Sequence, residues 1–176
     1  MSGHNKFSKI KHLKAKNDAQ KSKVYTKFVR LISVEAKKAK GNLSSPGLAA
    51  AIAKAHEENI PNDTIDRAIK KATTDNSADM ESIVYETYGP GGVAVLIEAL
   101  TDNRNKAAQE IKHILALHEL ALAAPGSASW AFEKHGLEYK PTTLIPIEDA
   151  DIEKLTSLVE ELEANDEVQS VFTNAE

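Results

Sequence analysis

The run IVYETYGPGGVAVLIEALTDNRN, residues 83–105, decides the fold. Its opening, Ile83 to Tyr88, is rich in β-branched and aromatic residues and predicts a strand. Gly89-Pro90-Gly91-Gly92 breaks it as a tight turn. Val93 to Leu100 predicts a second strand, mostly buried. Thr101 or Asp102 can cap a helix with Ala107, Ala108, Ile111, Ile114 and Leu115 inward. Downstream, Ser127 to Glu133 reads as a strand, and Leu137 to Ile147 as an extended segment interrupted at Pro141 and Pro146. Asp149 opens an acidic helix with Ile152, Leu155, Leu158, Val159 and Leu162 inward, and Val168 to Phe172 closes as a strand. From residue 92 the order is β-α-β-β-α-β, the split βαβ or ferredoxin-like arrangement.

Upstream the period is helical. A helix is expected from Asn17 or Asp18 to about Lys40, with Tyr25, Phe28, Val29, Ile32, Ala36 and Ala39 spaced by three and four and Gly41 as its stop. Ser45-Pro46 starts a second helix, which Pro61 ends. Asn62 or Asp63 caps a third, carrying Ile65, Ala68, Ile69 and Ala72 on one side. Three amphipathic helices with short links predict a small bundle. The fold class is therefore α+β: a basic arm and helical domain over residues 1–75, then an acidic ferredoxin-like domain over residues 76–176.

Charge divides the chain at the same place. Residues 1–75 hold 16 Lys and Arg against 7 Asp and Glu, a net of +9; residues 76–176 hold 6 against 19, a net of −13. The excess is steepest in residues 1–40, with 12 basic and 2 acidic side chains. A solvated helix face usually interleaves both signs, so this imbalance points to a polyanion. His4, Lys6, Lys9, Lys11, Lys14 and Lys16 supply the arm, and Lys23, Lys27 and Arg30 continue the charge along the first helix, opposite Tyr25. The apolar face of that helix is committed to the bundle, which disfavours a membrane surface and favours nucleic acid. Lysine contacts phosphate as a point charge, so a structured RNA read by shape is at least as plausible as duplex DNA.

Other chemistries find little support. The chain has no cysteine, which excludes disulfides and thiolate ligands or nucleophiles and agrees with a cytoplasmic home. No apolar run is long enough to span a bilayer, and the first residues lack the apolar core of a secretory signal. None of the six histidines has metal-ligand spacing, and no catalytic triad or carboxylate pair stands out. The reading is a non-enzymatic protein with no metal, cofactor or small-molecule substrate. Asp102, Asn103, Arg104 and Asn105 form a polar loop denser than a cap needs; the plainer reading has Asp102 cap the helix while Arg104 or Asn105 ties down the loop.

The residues resemble the YebC family, also called PmpR-like, which includes a mitochondrial translational activator. Gly3, His4, Lys6, Ile10, Lys11 and Lys14 match its opening pattern, with Asn5 and Phe7 in place of the usual Ser and Trp. Tyr25-Thr26-Lys27, Arg30, Ile60-Pro61-Asn62-Asp63 and Ala68-Ile69-Lys70 fit as well. So do Tyr85-Glu86, Tyr88 to Val93, Thr101 to Asn105 and Asp166 to Asn174. Two further departures stand out. His118-Glu119-Leu120 occupies the place of a usual Gly-Gly pair, so the loop there is expected to differ. The α/β domain that family members insert near residues 136–141 is absent, leaving a two-domain version.

The resemblance implies a nucleic-acid-associated regulator. Two kinds are known in the family: a ribosome-associated translation factor that relieves stalling, and a DNA-binding transcriptional regulator. The lysine-rich arm favours the first, with ribosomal RNA and the ribosome as partners. On that reading Gly89, Pro90, Gly91 and Gly92, with the Asp102 to Asn105 loop, face a protein or RNA partner.

Overall fold

The computed structural model describes residues 18–74 and 79–176. Three helices come first: α1 (Asp18–Lys38), α2 (Pro46–Glu57) and α3 (Asn62–Thr74). Each break has a local cause. Helix α1 ends in a Schellman turn, with Lys40 left-handed at φ 50° and Gly41 donating back to the Ala36 carbonyl at 2.9 Å. Ser45 occupies the N-cap of α2 with Pro46 at its first turn, although its hydroxyl makes no capping bond. Helix α2 ends in the same way as α1, at Asn59 with φ 58° and Ile60 donating to Ala55. Ile32, Leu48, Ala51, Ala55 and Ile65 fill the bundle, and Leu100 from the following half joins them.

The second half follows as β1 (Glu81–Tyr88), β2 (Ala94–Thr101), α4 (Arg104–Leu117), β3 (Phe132–His135), β4 (Glu138–Pro141), α5 (Asp149–Ala164) and β5 (Val168–Thr173). From β2 onward the element order is the expected β-α-β-β-α-β, and the architecture is α+β. The strand partners differ from those of one four-stranded sheet. β1, β2 and β5 form one antiparallel sheet in that order, while β3 and β4 form a separate hairpin. The reason is burial. Strand β3 buries only Phe132, and β4, which would lie inside such a sheet, exposes Lys140 and Pro141 and buries none of its residues fully, so neither strand suits a place in the main sheet. Strand β1 pairs along the edge of β2 instead.

Strand β2 is covered on both faces, as its unbroken apolar run requires. Val93, Val95, Ile97 and Ala99 pack with Ile111 and Leu115 of α4 and Leu155, Leu158 and Leu162 of α5. Ala94 and Leu96 face the other way, against Ala128, Ala131 and Phe132. The hairpin thus lies on the sheet face opposite the helices, where Tyr139 meets Phe172 edge to face at 5.4 Å.

The loop at His118-Glu119-Leu120, expected to differ, closes helix α4 through a left-handed residue, Glu119 at φ 59°, with Leu120 donating to the Leu115 carbonyl at 2.8 Å. A side chain in that region is strained by its Cβ. Replacing Glu119→Gly is expected to raise stability by about 0.5–1 kcal/mol, read as a shift in the denaturant midpoint at unchanged slope.

Candidate nucleic-acid interface

The predicted cationic stripe lies on one face of α1, with Lys23 exposed and Lys27 and Arg30 half-buried, and its head groups are engaged within the chain. Lys23 Nζ donates to the Ala164 carbonyl at 2.8 Å, Lys27 Nζ to the Glu163 carbonyl at 2.6 Å, and Arg30 Nη1 to the Asp166 carbonyl. Positions 23, 27 and 30 repeat at the helical period, so one row of α1 meets one structure: the C-terminal end of α5. The last carbonyls of a helix have no partners within it and carry partial negative charge. Lys23 and Lys27 therefore cap α5, Arg30 holds the turn just beyond it, and together they fasten the acidic half to the bundle. Lys54 adds a second tie at 2.7 Å to Glu138, which holds that carboxyl below the usual range. His4, Lys6, Lys9, Lys11, Lys14 and Lys16 lie outside the described residues.

Other cations of the bundle point to solvent. Lys37, Lys38, Lys40, Arg67, Lys70 and Lys71 are all exposed. Lys38 pairs with Glu35, and Lys37 with Asp79 just before β1. Lys37, Arg67 and Lys71 stand around a groove of about 530 Å³ between α1 and α3. Sequence reasoning passed over this groove. Its signal was present in Tyr25, Val29, Ser33 and Lys37, one row along α1, facing Thr64, Ala68 and Lys71 on α3. Tyr25, expected in the core, is 36% exposed and shares a hydrogen bond with Thr64.

The two loops expected to face a partner lie at opposite ends of β2. Eight extended residues span roughly 26 Å, so Gly89–Gly92 and Asp102–Asn105 do not form one site. The first is a packed turn. Gly91 has φ 74°, and a Cβ there would lie 2.9 Å from Ile147 Cγ2, so glycine is required twice over. Gly92 has φ 76° and faces open space.

The second loop is largely occupied by structure. Asn103, one residue beyond the expected cap, accepts from the Lys106 N–H at 3.0 Å, and Thr101 Oγ1 accepts from Asn103 N at 2.9 Å. Arg104 reaches Glu81 on β1 at 2.7 Å, which lowers the pKa of that carboxyl. Asp102 and Asn105 remain exposed.

A buried carboxylate, also missed, organises the neighbouring loop. Glu86 is 7% exposed and accepts three backbone N–H groups, from Gly126 and Ala128 at 2.7 Å and Ser129 at 2.9 Å. Burial pushes its carboxyl upward, but the donors outweigh burial and hold it below the ordinary value. The loop it clamps presents Trp130, 58% exposed, whose indole N–H donates to Tyr88 Oη at 3.0 Å. Tyr88 in turn donates to the Ser127 carbonyl. Among the described residues no group of histidines and carboxylates is arranged to hold a metal, and no helix is long and apolar enough to cross a membrane.

Comparison with known proteins assigns the chain to a family. Residues 5–75 match the TACO1/YebC protein N-terminal domain, and residues 80–138 match the TACO1/YebC second and third domain. The chain belongs to the TACO1/YebC family. A probable transcriptional regulatory protein from Fervidobacterium nodosum is 36% identical, covering 99% of this chain and 93% of its own length. That alignment runs over 235 positions, more than the 176 residues of this chain, so the relative carries extra residues inside the aligned span. A relative of the same name from Finegoldia magna is 43% identical over all of this chain and 74% of its own. A third, from Thermotoga petrophila, is 49% identical over 78% of the chain, which spans about half of that relative, 55%. The crystal structure of a conserved hypothetical protein, Aq1575, from Aquifex aeolicus superposes with a TM-score of 0.80 at 28% identity, covering 93% of each chain. The three relatives from Fervidobacterium, Finegoldia and Thermotoga are each named a probable transcriptional regulatory protein.

Proposed function

We propose that this chain is a nucleic-acid-binding regulatory protein that acts by binding and catalyses no reaction. The observation that carries the reading is the charge division: +9 over residues 1–75 against −13 beyond. An acidic rear half repels bulk polyanion, so binding by the basic front half needs a site of the right shape. The names of the relatives support a transcriptional regulator; for such a protein duplex DNA is the polyanion and the cytoplasm the place of action. The boundary near residue 75 makes the front half the binding unit and the rear half the unit that selects the place. Lys23, Lys27 and Arg30 then set the angle between the halves, while the arm lysines and the cations around the α1–α3 groove meet phosphate.

A second reading, a ribosome-associated translation factor, rests on residue choice. Residues 1–75 hold 14 lysines and only 2 arginines, a set suited to phosphate more than to base edges. Titrating the full chain with matched DNA, scrambled DNA and a structured RNA over a salt series separates the two. A transcriptional regulator keeps a large ratio of matched to scrambled affinity as salt rises. A translation factor prefers the structured RNA and shows no such ratio. Binding to none of the three at low salt contradicts both.

A further inference from the structure

The groove between α1 and α3 joins three features: an apolar floor, an aromatic end and a cationic rim. Val29, Val34, Ala68, Ala72 and Met80 make the floor. Small side chains on α3, at Ala68 and Ala72, leave the space that a bulkier residue would close. Tyr25 closes one end with its ring over a third exposed, fixed through its hydroxyl to Thr64 Oγ1. Lys37, Arg67 and Lys71 stand at the rim, and among the described residues no carboxylate lines the groove. Ser33 Oγ donates to the Val29 carbonyl, which leaves its lone pairs to accept from a ligand.

We infer that this groove binds an unpaired nucleotide of a single-stranded nucleic-acid segment, its base against Tyr25 and the apolar floor and its flanking phosphates on Lys37, Arg67 and Lys71. Each part of the ligand meets a matching part of the groove. The flat base is apolar on its faces and carries N–H groups at its edge, for Ser33. The phosphates supply negative charge to three rim cations whose partners among the described residues are Asp79 beside Lys37 and the Asp63 carbonyl beside Arg67. The volume of about 530 Å³ lies in the range of small-ligand pockets and suits a nucleotide better than the long trough a partner helix needs. A base within a duplex is stacked and cannot enter, so this site distinguishes looped or single-stranded nucleic acid from paired. The inference rests on the nucleic-acid reading above and adds a base-binding element to it.

The test compares three probes on the full chain: a ten-nucleotide single strand, the same strand with abasic sites throughout, and an acidic peptide of alternating Glu and Leu. Affinity and the NMR shifts of the Val29, Val34 and Met80 methyl groups are recorded for each. The intact strand is expected to move these methyls and to bind about tenfold more tightly than the abasic strand. Tyr25→Ala, a surface change, and Ala72→Leu, which fills the floor, are each expected to remove that tenfold advantage and leave abasic binding unchanged. Equal affinity for intact and abasic strands, with still methyls, overturns the groove assignment and leaves the broader function standing. Methyl shifts produced by the peptide and not by the strand overturn it in favour of a protein partner. Failure of both strands to bind overturns it together with the nucleic-acid reading.

Discussion

Replacing Glu86→Ala is expected to cost about 3–5 kcal/mol and to release the loop that carries Trp130. The carboxylate is 7% exposed and accepts three backbone N–H groups. Removing it orphans the buried Ala128 N–H and takes the charged acceptor from Gly126 and Ser129, which are exposed and half-buried and can turn to water. A single orphaned buried donor costs about 1–3 kcal/mol, and a bond to a charged acceptor is the stronger kind. Glu86→Gln keeps one acceptor oxygen but turns an NH₂ group toward the donors, so its cost should be smaller, about 2 kcal/mol. Trp130 is the chain's single tryptophan, so its fluorescence reports on this loop directly. In the alanine variant its emission should approach that of the unfolded chain before global unfolding.

The same group sets an acid limb. The carboxyl is held below its ordinary value of 4.5 in the folded state, by the three donors acting against burial. A depressed folded pKa contributes stability that is present above the unfolded value. That stability is lost as pH falls through the folded value. Wild-type stability should therefore drop on acidification below about 4.5, and the Glu86→Gln variant should show a shallower drop over the same window. Denaturant unfolding across the acid range measures both. An alanine variant within about 0.5 kcal/mol of wild type would remove Glu86 from its organising role.

Much of this fold is legible from local chemistry. Pro46 and Pro61 punctuate the helices because proline's fixed φ and missing N–H permit little else, Gly41 because it takes a φ of 78° without strain, and β2 announces itself by an apolar run that needs cover on both faces. What was hidden depends on partners distant in sequence. The spacing of Lys23, Lys27 and Arg30 places them on one face of α1, but their acceptors are backbone carbonyls of residues 163, 164 and 166. A carbonyl carries no residue identity, so no pattern in α5 or the turn after it could advertise that it would receive three cations. Glu86 is hidden for the same reason: it is an acid in a strand, and its donors are main-chain groups some 40 residues away. The β3–β4 hairpin was misplaced among the sheet partners because periodicity gives the strand and not its neighbour. Asn103 took the cap expected of Asp102 because Thr101 closes the junction one residue later. The groove arose from small residues on α3, which read in the sequence only as helix formers.

The second large effect concerns the front half's charge, and it is the most direct test of the account. Charge reversal at Lys37, Arg67 and Lys71 removes three cations from the exposed rim and adds repulsion in their place. Each of the three is exposed, so folding should survive. Affinity for a single-stranded oligonucleotide should fall about 100-fold at low salt, and the salt dependence should become shallower by about three contacts. The control is the same kind of change in the rear half, Lys112→Glu with Lys140→Glu, both also exposed. The measurement is the affinity of wild type, rim variant and rear variant for one labelled strand across one salt series. The account predicts a loss confined to the rim variant, with the rear variant within about threefold of wild type. Equal losses in the two variants, or full binding by the rim variant, would contradict it.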